Sequence, residues 1–211
     1  MINSGLASAG IYFDAQGLPH GFIRHRNGSF VQVNPPGSIL STVCIVCLND
    51  RGEAAGNYVS SDGINRGYIR SAAGAIRTIA QPGSDDTQFG GINNEGRAVG
   101  FFVDQNSVVW GLLAGGHQKK IVFQDPNAGS TYGNGTQPEA INDAGEVTGL
   151  YSDDQGAVHG FYRAATGKFS EFDPEGSVYT EPFSINANGT VTGYWYDGQG
   201  ALHGFIWRPR R

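Results

Sequence analysis

One pattern, I-N-x-x-G-x-x-x-G, dominates the chain: its first residue falls at Ile2, Leu48, Ile92, Ile141 and Ile185, in steps of 46, 44, 49 and 44 residues. Each copy is followed by a second pattern, seen as His20-Gly21-Phe22, Arg66-Gly67-Tyr68, Trp110-Gly111-Leu112, His159-Gly160-Phe161 and His203-Gly204-Phe205. A period in the forties, with several short strands and turn glycines per unit, describes a unit that cannot bury its own faces and must stack on its neighbours. The expected fold is therefore all-β: a five-bladed β-propeller built from five repeats of about 45 residues, starting near 2, 48, 92, 141 and 185. The repeat runs through residues 1–211 without a linker, so a single domain is expected.

Composition narrows the function classes. The chain has 33 Gly, 12 Phe, 9 Tyr and only 1 Met, and no stretch with useful helical periodicity. A net charge of −5 with no Lys/Arg stripe argues against nucleic acid, whose binding is dominated by phosphate neutralisation. No apolar run is long enough for a membrane helix, and the first ten residues lack the regions of a signal peptide. The spacing of Cys44 and Cys47 on one strand puts their Cα atoms too far apart for a disulfide without a bulge, so two free thiols are expected.

Within a unit, the asparagine (Asn3, Asn49, Asn93, Asn142, Asn186) ends an innermost strand, and an Asx-turn with a following glycine leads into a second strand. Tyr12, Tyr58, Phe102, Tyr151 and Trp195 share one slot in that second strand, and Phe22, Tyr68, Leu112, Phe161 and Phe205 one in the third. Recurrence in every unit favours inter-unit core over a sugar-stacking box. The outer strand is followed by a turn of the type Asp173-Pro174-Glu175-Gly176-Ser177.

These motifs, I-N-x-x-G-x-x-x-G, D-x-x-G-x-x-H-G-F and D-P-x-G-S, resemble the HAF family of probable extracellular repeats of bacterial proteins. The resemblance covers all five units and implies a bacterial, propeller-like protein in an extracellular or periplasmic location. It carries no activity or catalytic residues to transfer. Units two and three depart from it, with Arg66 and Trp110 in place of the histidine.

Three constellations are candidates for function. Aspartate and histidine recur six apart as Asp14 and His20, Asp153 and His159, Asp197 and His203. They read either as cross-hairpin hydrogen bonds or as carboxylate-oriented imidazoles for acid/base work or a metal. The five asparagines form a ring that reads either as Asx-turns or as ligands for a divalent cation such as calcium; no other cofactor or dedicated metal site is expected. Lastly, positions where the units differ are not explained by repetition. Gln88, Gln137, Glu139, Glu181 and Phe183 lead along the innermost strands, and Tyr132 and Tyr179 overhang the same expected channel mouth. Amides, acids and aromatic rings converging on a concavity suit a small polar ligand or a carbohydrate.

Two functions of different class follow: a binding module for such a ligand or for a protein partner, and a hydrolase of esters, lactones or phosphotriesters using a metal or an acid/base pair at the same mouth. The first unit starts without an inner strand and the fifth stops before an outer one. Closure is therefore expected through contact of units one and five, through a homo-oligomer, or through a longer parent chain.

Overall fold

A computed structural model describes residues 1–39 and 43–210. Every regular element among them is a β-strand. Unit one supplies β1 (Ser8–Phe13), β2 (Pro19–Arg24) and β3 (Phe30–Val33), an antiparallel sheet in that order. Unit two supplies β4 (Cys44–Leu48), β5 (Ala54–Val59), β6 (Asn65–Arg70) and β7 (Ile76–Ile79). Unit three has β8 (Asp86–Ile92), β9 (Arg97–Val103), β10 (Val109–Gly115) and β11 (Ile121–Phe123). Unit four has β12 (Gly135–Ile141), β13 (Val147–Ser152), β14 (Val158–Arg163) and β15 (Phe169–Phe172). Unit five has β16 (Ser177–Ile185), β17 (Val191–Asp197) and β18 (Leu202–Trp207).

Each unit pairs its strands antiparallel in sequence order, the connectivity that short glycine turns allow. Among the described residues, units two to five meet in the ladder through single parallel bridges, Asn65 with Asp86, Val109 with Gly135 and Val158 with Tyr179. Side-chain packing also joins the units. Val99, Leu113 and Phe123 of unit three bury against Ile141, Val147, Tyr151 and Phe161 of unit four, and equivalent slots meet at the other junctions.

The two motif glycines have different physical reasons. Gly52, Gly96, Gly145 and Gly189 carry positive φ at the first turn. In unit one that position is Leu6, held at φ 60, so the first copy does not carry the motif glycine that its spacing was expected to supply. Gly100, Gly149 and Gly193, four residues further on, are glycines because the first strand crosses them closely: a Cβ would sit 1.9, 2.3 and 2.0 Å from the carbonyl oxygens of Gln88, Gln137 and Glu181. Opposite them the first strand loses register, between Phe89 and Gly91, Pro138 and Ala140, and Pro182 and Ser184.

The asparagines do more than turn the chain. Their Oδ1 atoms accept turn N–H groups, as Asn93 does from Glu95 and Arg97. Their Nδ2 atoms then donate to the next unit: Asn3 to the Asn49 carbonyl, Asn49 to Asn93, Asn93 to Asn142 and Asn142 to Asn186. Each asparagine thus satisfies its own turn, and each but Asn186 latches one unit to the next.

The expected closed ring is not present among the described residues. The first and last sheets each leave one face open, with Tyr12 and Phe30 exposed on one and Leu202 and Ile206 on the other. Tyr12 is therefore not inter-unit core, unlike its counterparts Tyr58, Phe102 and Tyr151, because no unit covers it. Cys47 is buried and Cys44 half-buried, both free, and burial pushes the Cys47 thiol up to about 12. A register shift lies between Ile45 and Cys47, yet both thiols stay free.

Candidate ligand site

Strand alternation decides which first-strand side chains are available. Thr87, Thr136 and Thr180 occupy one slot and are buried. Thr136 accepts the Asp125 amide through its hydroxyl (2.8 Å), and the Thr180 hydroxyl donates to Asp173 (2.6 Å). The residues on either side of these threonines consequently point to the opposite face: Asp86 and Gln88 in unit three, Gln137 with Glu139 further along in unit four, Tyr179 and Glu181 in unit five.

Units three, four and five each place a donor on a carboxylate in this row. Gln88 Nε2 donates to both Asp86 oxygens (3.1 and 3.0 Å), and Gln137 Nε2 donates to Glu139 Oε1 (2.8 Å). The third member is denser: the hydroxyls of Tyr179 and Tyr194 both donate to Glu181 Oε2, at 2.5 and 2.6 Å. Glu181 Oε1 accepts no hydrogen bond from a described residue. The rings around it form a continuous set, with Tyr179 stacked on Tyr194 (centroids 6.2 Å apart), Tyr196 edge-on to both, and Phe183 tilted against Tyr194 at 5.3 Å. Phe183 is half exposed and Tyr196 more than a third exposed.

The electrostatics keep the phenols neutral. The hydrogen bond to Glu181, with burial, pushes the Tyr194 hydroxyl up to about 12; burial and the same carboxylate raise that of Tyr179. Burial, and to a lesser degree the charge of Glu181, raises the Glu139 carboxyl. Glu139 is accordingly not the freely solvated acid that its place at a rim implied.

Of the side chains singled out from the sequence, the structure brings together Tyr179, Glu181 and Phe183, with Gln137 and Glu139 next along the row. Gln88 is committed to Asp86 in unit three, and Tyr132 stands in solvent on the loop before β12, outside the cluster. Tyr194 and Tyr196 belong to the same cluster and were not singled out. Trp195 had been placed in the buried slot, and alternation from it puts both tyrosines on the opposite face, across from Glu181 and Tyr179.

The aspartate–histidine pairs each span the neck of one hairpin. His20 Nε2 meets Asp14 at 2.9 Å and His203 Nε2 meets Asp197 at 2.8 Å, while the same aspartates accept the turn amides. His159 bridges Asp153 (3.5 Å) and Asp173 (2.6 Å); burial opposes charge on its ring, but the two carboxylates prevail and raise its pKa. Trp110 takes over the same bond in unit three, donating Nε1 to Asp104 at 2.9 Å.

Stacking of units three and four creates a second acidic group that sequence spacing did not reveal. Asp125 is almost fully buried; its Oδ1 accepts the Asn127 amide, and its Oδ2 has no hydrogen-bond partner among the described residues. Glu171 from unit four sits beside it, bonded to Tyr151 and Asn127. Burial first, then the Glu171 charge, pushes the Asp125 carboxyl up to about 6. Its folded pKa is raised, so the stability it contributes is complete below about pH 4 and is lost as pH rises through about 6. Asp125→Asn is therefore expected to melt like the parent near pH 4 and to be the more stable of the two above pH 7. The difference there should reach about 3 kcal/mol, one pH unit corresponding to about 1.4 kcal/mol. Melting curves of both proteins across that range check it; a constant gap would refute it.

No family model and no curated protein matches the chain. Among solved structures, it is similar to a lectin from Burkholderia pseudomallei at a TM-score of 0.48 and 13% identity, over 97% of this chain and 67% of that one. A triple-arginine mutant of AofleA from Arthrobotrys oligospora matches at 0.47 and 11%, over 96% and 79%.

Proposed function

We propose that this chain is a carbohydrate-binding module, a five-bladed propeller of extracellular bacterial HAF-type repeats. It holds a polyhydroxylated ligand on the first-strand row that ends in Tyr179, Glu181 and Phe183. The observation that carries the reading is Glu181: two tyrosine hydroxyls fix one carboxylate oxygen and leave the other available, inside a set of partly exposed rings. A sugar needs both features, an oriented acceptor for its hydroxyls and an aromatic face for its C–H surface. Gln137 and Glu139 extend the polar row toward a second ring of an oligosaccharide. The repeated antiparallel units, four of them side by side through their first strands, support the propeller reading.

The hydrolase reading finds no arrangement of its own among the described residues. His20 and His203 each bond the aspartate of their own hairpin, His159 is held between Asp153 and Asp173, and the phenols nearest Glu181 are held neutral by it.

The test is a panel of soluble glycans titrated against the parent, Glu181→Ala and Glu139→Ala. Losing a charged hydrogen-bond partner is expected to weaken binding by about 1.5–3 kcal/mol, roughly ten- to a hundredfold. The circular dichroism spectra should not change. Equal affinities in all three proteins would move the site elsewhere.

A further inference from the structure

Repeat slots let each open face be compared with copies of itself that are covered. Ile206 is 67% exposed, whereas Ile23, Ile69, Leu113 and Tyr162, in the same slot of units one to four, are 2, 8, 2 and 6% exposed against the following unit. At the other end Tyr12 is 42% exposed, whereas Tyr58, Phe102 and Tyr151 are 2, 8 and 4% exposed against the preceding unit. Around Tyr12, a cavity of about 490 Å³ is lined by Phe22, Phe30 and Gln32. The two open faces thus carry the same slots as the two sides of each junction between neighbouring units.

A second observation points the same way. The asparagine ladder runs from Asn3 to Asn186, and each Nδ2 but the last donates to the next unit. The Asn186 amide oxygen serves its own turn, yet its Nδ2 donates to nothing among the described residues. It ends the ladder on the side of the chain where the Ile206 face lies open.

We infer that a second copy of this chain docks here head to tail: the unit-five face of one copy, centred on Leu202 and Ile206, receives the unit-one face of the next, centred on Tyr12, Phe22 and Phe30. Asn186 Nδ2 of the first copy then donates to the Asn3 carbonyl of the second, continuing the ladder. The contact is heterologous, so it propagates until a ring closes or a filament grows. Its driving force is the apolar burial that already stacks the units within the chain. This inference does not rest on the carbohydrate reading.

The experiment is sedimentation velocity on the full chain from micromolar to near-millimolar concentration, with two variants, Phe30→Glu and Ile206→Glu. Both side chains are about two-thirds exposed, so neither change should disturb the fold, and circular dichroism checks this. The parent should grow beyond a monomer as concentration rises. Each variant alone should self-associate at least about a hundredfold more weakly, because docking would bury an uncompensated charge. An equimolar mixture of the two should form a dimer and stop, since only one intact pair of faces remains. A parent that stays monomeric throughout would overturn the inference and leave the faces to the chain's own two ends or to another partner. A single variant that still dimerises, or a mixture that stays monomeric, would overturn the head-to-tail arrangement.

Discussion

Gly100→Ala is expected to abolish the native fold or to cost at least about 3 kcal/mol, because overpacking here falls on backbone. A Cβ at Gly100 would lie 1.9 Å from the Gln88 carbonyl oxygen and 2.6 Å from the Phe89 Cα. Flexible side chains relieve such contacts by changing rotamer; two crossing strands cannot. The bulge between Phe89 and Gly91 has already brought β8 across β9, so relief requires shifting the innermost strand of a central unit. Gly10→Ala is the control. There the added carbon meets only the Phe22 ring, at 3.3 Å, and the cost should stay within about 0.5 kcal/mol. Denaturant melts of both variants measure the difference. Equal stabilities would show that close crossing is not why the motif keeps its second glycine.

Asn93→Ala should destabilise the protein by about 3 kcal/mol, since three hydrogen bonds each contribute roughly 1 kcal/mol and the groups left behind are buried or half-buried. Two of the bonds hold the turn at Glu95 and Arg97; the third reaches the Asn142 carbonyl in the next unit at 3.1 Å. For a chain of this size that corresponds to a fall of about 6–12 °C in Tm. Asn93→Asp separates the two roles, because it keeps the turn acceptor and loses the inter-unit donor. It should be clearly less stable than the parent, because it also turns a buried carboxylate oxygen toward the Asn142 carbonyl. If it matched the parent, the latch between units would contribute nothing.

Much of the architecture was legible because a repeat superposes its own evidence. The slot of Tyr58, Phe102 and Tyr151 is buried as recurrence implied, and the turn glycines take positive φ as their place after Asn49, Asn93 and Asn142 required. Properties that depend on a neighbour were not legible. The reason for Gly100 lies in the path of another strand, and the second function of Asn93 lies in another unit. Leu6 and Ser107 hold positive φ (60 and 62) where other copies have glycine, so tertiary context overrides local preference at two turns. Tyr12 is exposed although its slot is core elsewhere, because the slot is buried only when a unit precedes it.

The site was half legible for the same reason. Positions where units differ pointed to Tyr179, Glu181 and Phe183, and the structure assembles these around one carboxylate. Tyr194 and Tyr196 were hidden beside Trp195, whose recurring slot claimed that strand for the core. Asp125 and Glu171 are far apart in sequence, and only the stacking of units three and four makes them neighbours.

The most direct measurement follows the tyrosine rings during binding. With tyrosine rings isotopically labelled and a glycan selected from the panel titrated in, the resonances of Tyr179, Tyr194 and Tyr196 are predicted to shift together and to saturate at the affinity seen by calorimetry. Tyr68, fully buried in unit two, should not move. Shifts confined to Tyr12 or Tyr132, with the three rings around Glu181 unchanged, would contradict the account.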